Sequence, residues 1–163
     1  MKAEGALQID TPRRSRRLNH MGDVLLEEAR GMHGRAADAM FQAACTTYEE
    51  ALALKPDLGE ALVGLGCARL AMAGRATNMT QRKALLRQAR HALLQAENVC
   101  GKAAAYNLAC ACALEGNLEG CRSWLERARA EMHLPPHEKL VADPDLAAVH
   151  GEHWLSALYG GAS

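Results

Sequence analysis

Aromatic residues are scarce in this chain, at 4% of 163 residues, and no segment alternates between apolar and polar side chains as a strand would. Sheets rely on aromatic and β-branched side chains, whereas alanine, which is abundant here, favours helices and lets their backbones approach closely. The composition therefore predicts an all-α protein. Net charge is also lacking, because 19 basic residues balance 19 acidic ones. Nucleic-acid-binding proteins usually have a clear basic excess, so we expect no nucleic-acid partner.

Long hydrophobic runs are absent too. No apolar stretch approaches the roughly 18 residues that cross a bilayer, and no signal-peptide core follows Met1. The six cysteines lie in alanine-like helical stretches, without the loop-rich spacing of secreted disulfide scaffolds. We expect them to pack as small hydrophobic residues in a reducing compartment. These features predict a soluble protein with a cytoplasmic location, and an organelle stroma or matrix is the alternative.

The basic charge is concentrated at the N-terminus, where the first 20 residues have five Lys or Arg against two acidic residues. This cluster could be a nuclear or anionic-surface address, the end of an organelle import segment, or a solvated tail. Residues 1–17 contain too few apolar side chains to offset the entropy of ordering them. We therefore predict a mobile basic arm at 1–17 that becomes ordered only on an acidic partner. The arginines assigned to that contact are Arg13, Arg14, Arg16 and Arg17.

Glycine, proline and capping residues divide the rest of the chain into helices. Asp57 with Glu60 reads as a capping box, Asn78 or Thr80 and Asn117 as N-caps, and Asp143 before a proline as an acidic cap. The segments predicted as helical are 18–30, 35–54, 57–74, 80–98, 102–114, 117–134, a short helix after 143, and 152–158.

A repeated pattern is the strongest signal in the sequence. The second helix of each predicted pair has two small residues seven positions apart with one bulky residue between them, which lets antiparallel helices nest closely. The three occurrences are Ala44, Tyr48, Ala51; Ala89, Leu93, Ala96; and Cys121, Leu125, Ala128. The first helices have a large residue beside a small one, at Leu65-Gly66 and Leu108-Ala109.

These motifs, with the segment from Tyr48 to Asp57 and the turn Gly116-Asn117-Leu118, resemble the tetratricopeptide-repeat family over about residues 36–132. The resemblance implies an antiparallel helix-pair solenoid of about three repeats with a C-terminal capping helix. The 43 residues from Leu65 to Leu108 exceed the usual period of about 34, which predicts an extended turn at 75–85 inside the second pair. The helix before Ala36 departs from the pattern and is interpreted as a cap or degenerate repeat. The implied division is 1–17 arm, 18–134 repeat array, and 135–163 loop and capping helices.

No constellation typical of catalysis is present. Gly64-Leu65-Gly66 lies mid-helix without a preceding strand, and Cys110 and Cys112 point about 200° apart on a helix. The histidine pairs His150 with His153 and His133 with His137 match no established ligand spacing. We therefore predict no enzyme activity, metal, cofactor or small-molecule substrate.

The resemblance implies that the first helix of each pair lines a concave groove. Some family members clamp a peptide carboxylate with lysine, arginine and asparagine in these first helices. In the predicted helices 57–74 and 102–114 only Asn107 matches, and no lysine or arginine occupies a matching position. The groove thus favours a helical or apolar segment of a partner protein over a peptide with an acidic end. The protein's own N-terminal helix could also fill it. The predicted groove residues are Val63, Gly64, Cys67, Leu70, Tyr106, Asn107, Cys110 and Ala113.

The leading functional hypothesis is therefore a non-enzymatic adaptor, scaffold or chaperone-like module for protein–protein interaction. The alternative is an accessory subunit that is permanently assembled into a larger complex. In that case exposed tryptophan and the basic arm would contact other subunits.

Overall fold

The computed structural model describes residues 3–100 and 104–160, with side chains from Asp10 onward. Those residues contain no strand, which confirms the all-α prediction. The helices are α1 (Ala3–Arg30), α2 (Gly34–Leu54), α3 (Gly59–Arg75), α4 (Met79–Cys100), α5 (Ala105–Leu114), α6 (Leu118–Ala130), α7 (His137–Ala142), a 3₁₀ helix (Pro144–Val149) and α8 (His153–Ala157).

Consecutive helices pack in pairs, α1 with α2, α3 with α4 and α5 with α6. The pairs stack through contacts of α2 with α3 and of α4 with α5. This is the predicted helix-pair solenoid. The degenerate first helix thus completes the first pair, instead of standing apart from it.

The repeated small–bulky–small pattern forms the centre of each pair. All nine of its residues are fully buried. The bulky residue packs against a glycine of a neighbouring helix: Tyr48 against Gly64, and Leu93 against Gly66. A Cβ atom at either glycine would lie within 3.0 Å of that side chain, so these helices approach as closely as they do because the glycines have no side chain.

Three local predictions are corrected. The helix predicted to begin at residue 18 begins at Ala3, so residues 3–17 continue α1; the mobility of 1–17 stays a prediction. Asp57 forms no capping box, because α3 begins at Gly59 and the Asp57 carboxylate accepts a bond from Lys55 Nζ at 3.0 Å. The segment 75–85 is no extended turn, since only residues 76–78 separate α3 from α4.

Other predicted caps are confirmed by hydrogen bonds. Asn78 Oδ1 accepts from the backbone N–H groups of Thr80 and Gln81, at 2.9 and 3.1 Å. Asn117 Oδ1 accepts from Gly120 N at 2.9 Å, and Asp143 Oδ1 from Asp145 N at 3.0 Å. These bonds satisfy N–H groups that helix starts leave unpaired.

The C-terminal segment returns over α5, with the 3₁₀ helix as its main contact. Leu140, Leu146 and Val149 are fully buried and belong to the same core cluster as Leu93, Leu108 and Leu125 of the array. The segment therefore covers part of the α5 face that was predicted to line the groove. The protein's own N-terminal helix packs mainly along α2 and also contacts α3, so α1 forms one side of the groove.

Candidate functional site

An open cavity of about 870 Å³ lies between the end of α1, α3, α5 and the 3₁₀ helix. Pockets of 300–1,000 Å³ are the usual size for ligand sites. Two helices supply facing rows with helical spacing. The residues of these rows are Cys67, Leu70, Ala71 and Gly74 from α3, and Tyr106, Asn107, Cys110 and Leu114 from α5.

Five of the eight predicted groove residues line this cavity: Cys67, Leu70, Tyr106, Asn107 and Cys110. The other three lie elsewhere. Gly64 faces the Tyr48 ring, the half-buried Val63 packs against the core cluster, and Ala113 lines a separate depression beside Met79 and Leu86.

Further lining residues were not foreseen. Ala71, Gly74 and Leu114 continue the predicted helical rows by one turn, so the 3.6-residue period could have found them. The rest comprise Arg75 at the end of α3 and residues of other helices and loops, which have no signal in the sequence because only the tertiary fold brings them here. They are Ala29, Arg30, Met32, His33, Phe41, Arg75, Arg82, Asp143, Pro144 and Asp145.

The cavity has charged residues in its lining, whereas the residues predicted from α3 and α5 include no lysine or arginine. Arg30, Arg75 and Arg82 line it together with two aspartates of the C-terminal segment. Arg75 is already engaged: its Nε donates to Asp38 Oδ1 at 2.6 Å, its Nη2 donates to the Gly34 carbonyl at 2.9 Å, and its guanidinium lies 5.9 Å from the centre of the Phe41 ring. Arg30 forms an ion pair with Glu27.

Asp143 fastens the 3₁₀ helix to α5. Its Oδ2 accepts a hydrogen bond from the Tyr106 hydroxyl at 2.7 Å and lies 3.9 Å from Cys110 Sγ. Burial, followed by the neighbouring Asp143, raises the pKa of both the Tyr106 phenol and the Cys110 thiol. Both groups are therefore protonated near neutral pH and act as donors to the carboxylate.

Cys110, Asp143 and Asp145 also bring potential ligand atoms within 4.8 Å of one another. A metal would require the thiolate, which the buried and negatively charged surroundings disfavour. The hydrogen bonds already use both oxygens of Asp143. We interpret this cluster as a structural hydrogen-bonded contact between α5 and the C-terminal segment.

Asp145 gives this side of the cavity a dependence on pH. Burial raises its pKa to about 6, with repulsion from Asp143 adding to the effect and Arg30 and Arg82 opposing it. A carboxyl group whose pKa is higher in the folded than in the unfolded protein stabilises the folded state when it is protonated. This stabilisation is complete at pH values below the unfolded-state pKa. That contribution is lost as the pH rises through about 6.

We therefore expect Asp145→Asn, which resembles the protonated side chain, to stabilise the protein at pH 7.5 by about 1 kcal/mol after allowance for partial exposure. Little change is expected at pH 4, where the wild-type carboxyl is largely protonated below its pKa of about 6. Thermal unfolding at both pH values tests this, with the exposed Asp10→Asn as control. An equal shift at both pH values would contradict it.

The four arginines assigned to an acidic partner are exposed and lie on α1, away from the cavity. They extend over little more than one turn of the helix, from Arg13 to Arg17. Their row and the cavity are thus two separate surfaces of the protein.

The architecture defines a helical-repeat protein with a concave cavity, a class whose members serve many partners. A protein-family model described as the plant-specific mitochondrial import receptor subunit TOM20 matches residues 2–115. The chain therefore belongs to this family of helical import receptors, which refines the resemblance to tetratricopeptide repeats. No curated protein and no solved structure matches the chain.

Family membership changes the expected location. The family consists of mitochondrial import receptor subunits, so the prediction of a cytoplasmic protein is wrong. The prediction depended on the missing apolar run, the missing signal-peptide core and the cysteines, and none of these features distinguishes a cytoplasmic protein from a mitochondrial one. The family's receptor role agrees with a non-enzymatic protein that interacts with other proteins. Within residues 3–100 and 104–160, no helix is long and apolar enough to cross a membrane.

Proposed function

We propose that this protein binds a short amphipathic helical or apolar segment of another protein in the cavity between α1, α3, α5 and the 3₁₀ helix. The family supports a protein partner, because its members are import receptor subunits. A segment of an imported protein is accordingly the proposed ligand. The observation that carries the proposal is the open cavity of about 870 Å³ with its mixed lining.

The lining suits a segment with one apolar and one polar face. Phe41 and Leu70 are buried apolar residues of the wall, and Met32, Ala71 and Leu114 are partly accessible beside them. Charged groups from α1, α3, α4 and the C-terminal segment surround these side chains. An amphipathic helix places apolar residues at i, i+3 or i+4, and i+7 into such a groove and leaves its polar side outside.

We expect a peptide with an acidic C-terminus to bind weakly. The sequence suggested that the groove lacks cations, but arginines line the cavity and their charges are already paired or opposed. Arg30 and Arg75 line the cavity but are already paired with Glu27 and Asp38. The third arginine of the lining, Arg82, already interacts with the charge of Asp145. Asp143 and Asp145 would repel a carboxylate, and Asn107 would not compensate for its desolvation. Tight, salt-sensitive binding of such a peptide that is lost in Asn107→Ala would contradict this assignment.

Substitutions at the cavity wall test the proposal. Leu70→Glu is unsuitable, because it would place a charge in the core and unfold the protein. Val63, another predicted groove residue, is also unsuitable because it does not line the cavity. Ala71→Trp is the sharper variant, because it adds a large side chain at a partly exposed wall position. Ala53→Trp on the exposed face of α2 is the matched control.

We expect Ala71→Trp to weaken binding at least about tenfold, a loss of roughly 1.4 kcal/mol, while Ala53→Trp has wild-type affinity. The probe is a fluorescein-labelled synthetic amphipathic helix with one leucine face, measured by anisotropy, and circular dichroism checks that both variants fold. Equal affinity of the two variants would contradict a ligand in this cavity.

The second candidate is an accessory subunit of a larger complex, which the word subunit in the family description favours. Trp124 and Trp154 do not support it, because both are half-buried against the core and lie near Arg127 and Arg122. An obligate subunit should express poorly or aggregate when produced alone. A receptor that functions on its own should be a well-behaved monomer.

A further inference from the structure

Helix α1 has two opposite faces with different surroundings. Its buried row has the regular spacing of four and three residues and contains Ser15, Asn19, Gly22, Leu26 and Ala29. At about 100° per residue, a position two residues further along the chain lies about 200° around the helix. The row opposite the buried one therefore contains Arg17, Met21, Val24 and Glu28, and Arg14 and Asp10 continue it toward the N-terminus; all six residues are exposed.

The middle of the outward row, before Glu28, has two accessible apolar side chains. Met21 is 50% exposed and Val24 is 44% exposed. They are three residues apart and therefore adjacent on the helix surface. The outer face of a terminal repeat is ordinarily polar, because no further repeat covers it. α1 departs from this rule at the place where another helix would stack.

The part of the row just before Met21 is cationic, and the exposed Asp10 lies one turn before it. Arg14 and Arg17 lie within it, with Arg13, Arg16 and His20 beside it, and all five are exposed. None of the four arginines forms an ion pair with another side chain in the described part of the protein. The row from Arg14 to Val24 measures about 15 Å, at 1.5 Å per residue.

We infer that the part of this outward row from Arg14 to Val24 (Arg14, Arg17, Met21 and Val24) binds an acidic amphipathic helix of another subunit, stacked where the next helix of the array would lie. The acidic residues of that helix face Arg14 and Arg17, and its apolar residues cover Met21 and Val24. This contact is independent of the cavity and would leave the cavity open to its own ligand.

Charge and shape distinguish this partner from other anionic surfaces. A membrane-binding helix has a continuous apolar face, whereas here only one turn of the outward row is apolar. Nucleic-acid binding relies on aromatic stacking or on contacts over an extended basic surface, and the residues from Asp10 to Arg30 include no aromatic side chain other than His20. A second amphipathic helix can provide both acidic side chains for Arg14 and Arg17 and apolar side chains for Met21 and Val24.

The test uses the full-length protein and a pair of synthetic helical peptides. One peptide has two glutamates followed by two leucines on a single helical face, and its twin has lysines in place of the glutamates. Arg14→Glu with Arg17→Glu reverses the charge of the row. The matched control is Lys83→Glu with Arg87→Glu, which reverses two exposed cations one helical turn apart on α4.

At low salt, we expect wild-type protein and the control to prefer the glutamate peptide about tenfold, and the reversed variant to prefer the lysine twin. Met21→Gln with Val24→Gln should weaken binding of the glutamate peptide about tenfold with its salt dependence intact. Circular dichroism verifies the fold of each variant.

Three results would overturn the inference. The first is equal affinity for the two peptides, or affinity that is unchanged in the reversed variant. The second is no binding of either peptide at about 1 mM, the concentration that corresponds to roughly 4 kcal/mol. The third is binding of the wild type to phosphatidylserine vesicles alone that is lost in the reversed variant, which would assign the row to a membrane.

Discussion

Tyr48→Ala is expected to lower the free energy of unfolding by about 3 to 5 kcal/mol, the range found for removal of a large buried aromatic ring. The Tyr48 ring is fully buried, and it packs against Gly22 of α1 on one side and Gly64 of α3 on the other. Its hydroxyl donates to Asp23 Oδ1 at 2.8 Å. The residue therefore joins the first two helix pairs, and its loss leaves a cavity between three helices.

The matched variants separate packing from hydrogen bonding. Tyr48→Phe keeps the ring and should cost about 1 kcal/mol. Gly64→Ala should cost about 1 to 3 kcal/mol because its Cβ atom would overlap the ring, whereas Gly151→Ala meets no atom within 4 Å and should be nearly neutral. Urea unfolding measures all four. If Tyr48→Ala cost no more than Tyr48→Phe, the ring would not hold the pairs together.

Leu146→Ala is expected to lower the free energy of unfolding of the whole array by about 2 to 5 kcal/mol in a single transition. Leu146 is fully buried and belongs to the same core cluster as residues of α3, α4 and α5. The 3₁₀ helix that contains it packs on α5, where Asp143 binds the Tyr106 hydroxyl. The C-terminal segment is thus part of the fold rather than an appendage.

Leu94→Ala is the control, because Leu94 is the same residue type at 38% exposure on α4 and should cost less than about 1 kcal/mol. The measurement uses a Trp124→Phe background, because Trp124 lies in α6 and Trp154 in the C-terminal segment. Circular dichroism, whose signal comes mostly from α1 to α6, and Trp154 fluorescence should then report the same midpoint. An unchanged helical transition in Leu146→Ala would show that the segment folds separately.

The repeat could be predicted because it depends on local rules. Small residues seven positions apart with a bulky residue between them determine how one helix nests on another, and all nine residues of this pattern are buried as expected. The N-caps Asn78 and Asn117 could be predicted for the same reason, because each side-chain oxygen binds an N–H group only two or three residues further along the chain. The capping box predicted at Asp57 is wrong because the Asp57 carboxylate has a competing partner in Lys55, two residues away.

The start of α1 could not be predicted from the same rules. Pro12 and the neighbouring arginines are unfavourable in a helix by propensity or by mutual repulsion. Ser15 is nevertheless fully buried, and its hydroxyl donates to the Pro12 carbonyl at 3.1 Å. Packing against α2 is a tertiary effect that the sequence of α1 alone does not reveal.

The candidate site was predictable along two helices and no further. The resemblance to tetratricopeptide repeats implied Cys67, Leu70, Tyr106, Asn107 and Cys110, and these five residues line the cavity. The charges around them come from α1, the end of α3, α4 and the C-terminal segment. Those helices meet only in the folded protein, so the sequence indicated the apolar faces of the cavity but not its electrostatic character.

Methyl NMR of the full-length protein with the leucine-faced peptide tests the central claim, that the cavity between α1, α3, α5 and the 3₁₀ helix is the binding site, most directly. We predict intermolecular NOEs from the peptide to Met32 and Leu114, which line the cavity and are partly accessible. The exposed methyl groups of Val99 and Leu118 lie outside it and should show none. NOEs to those two residues, with none to Met32 or Leu114, would contradict the claim.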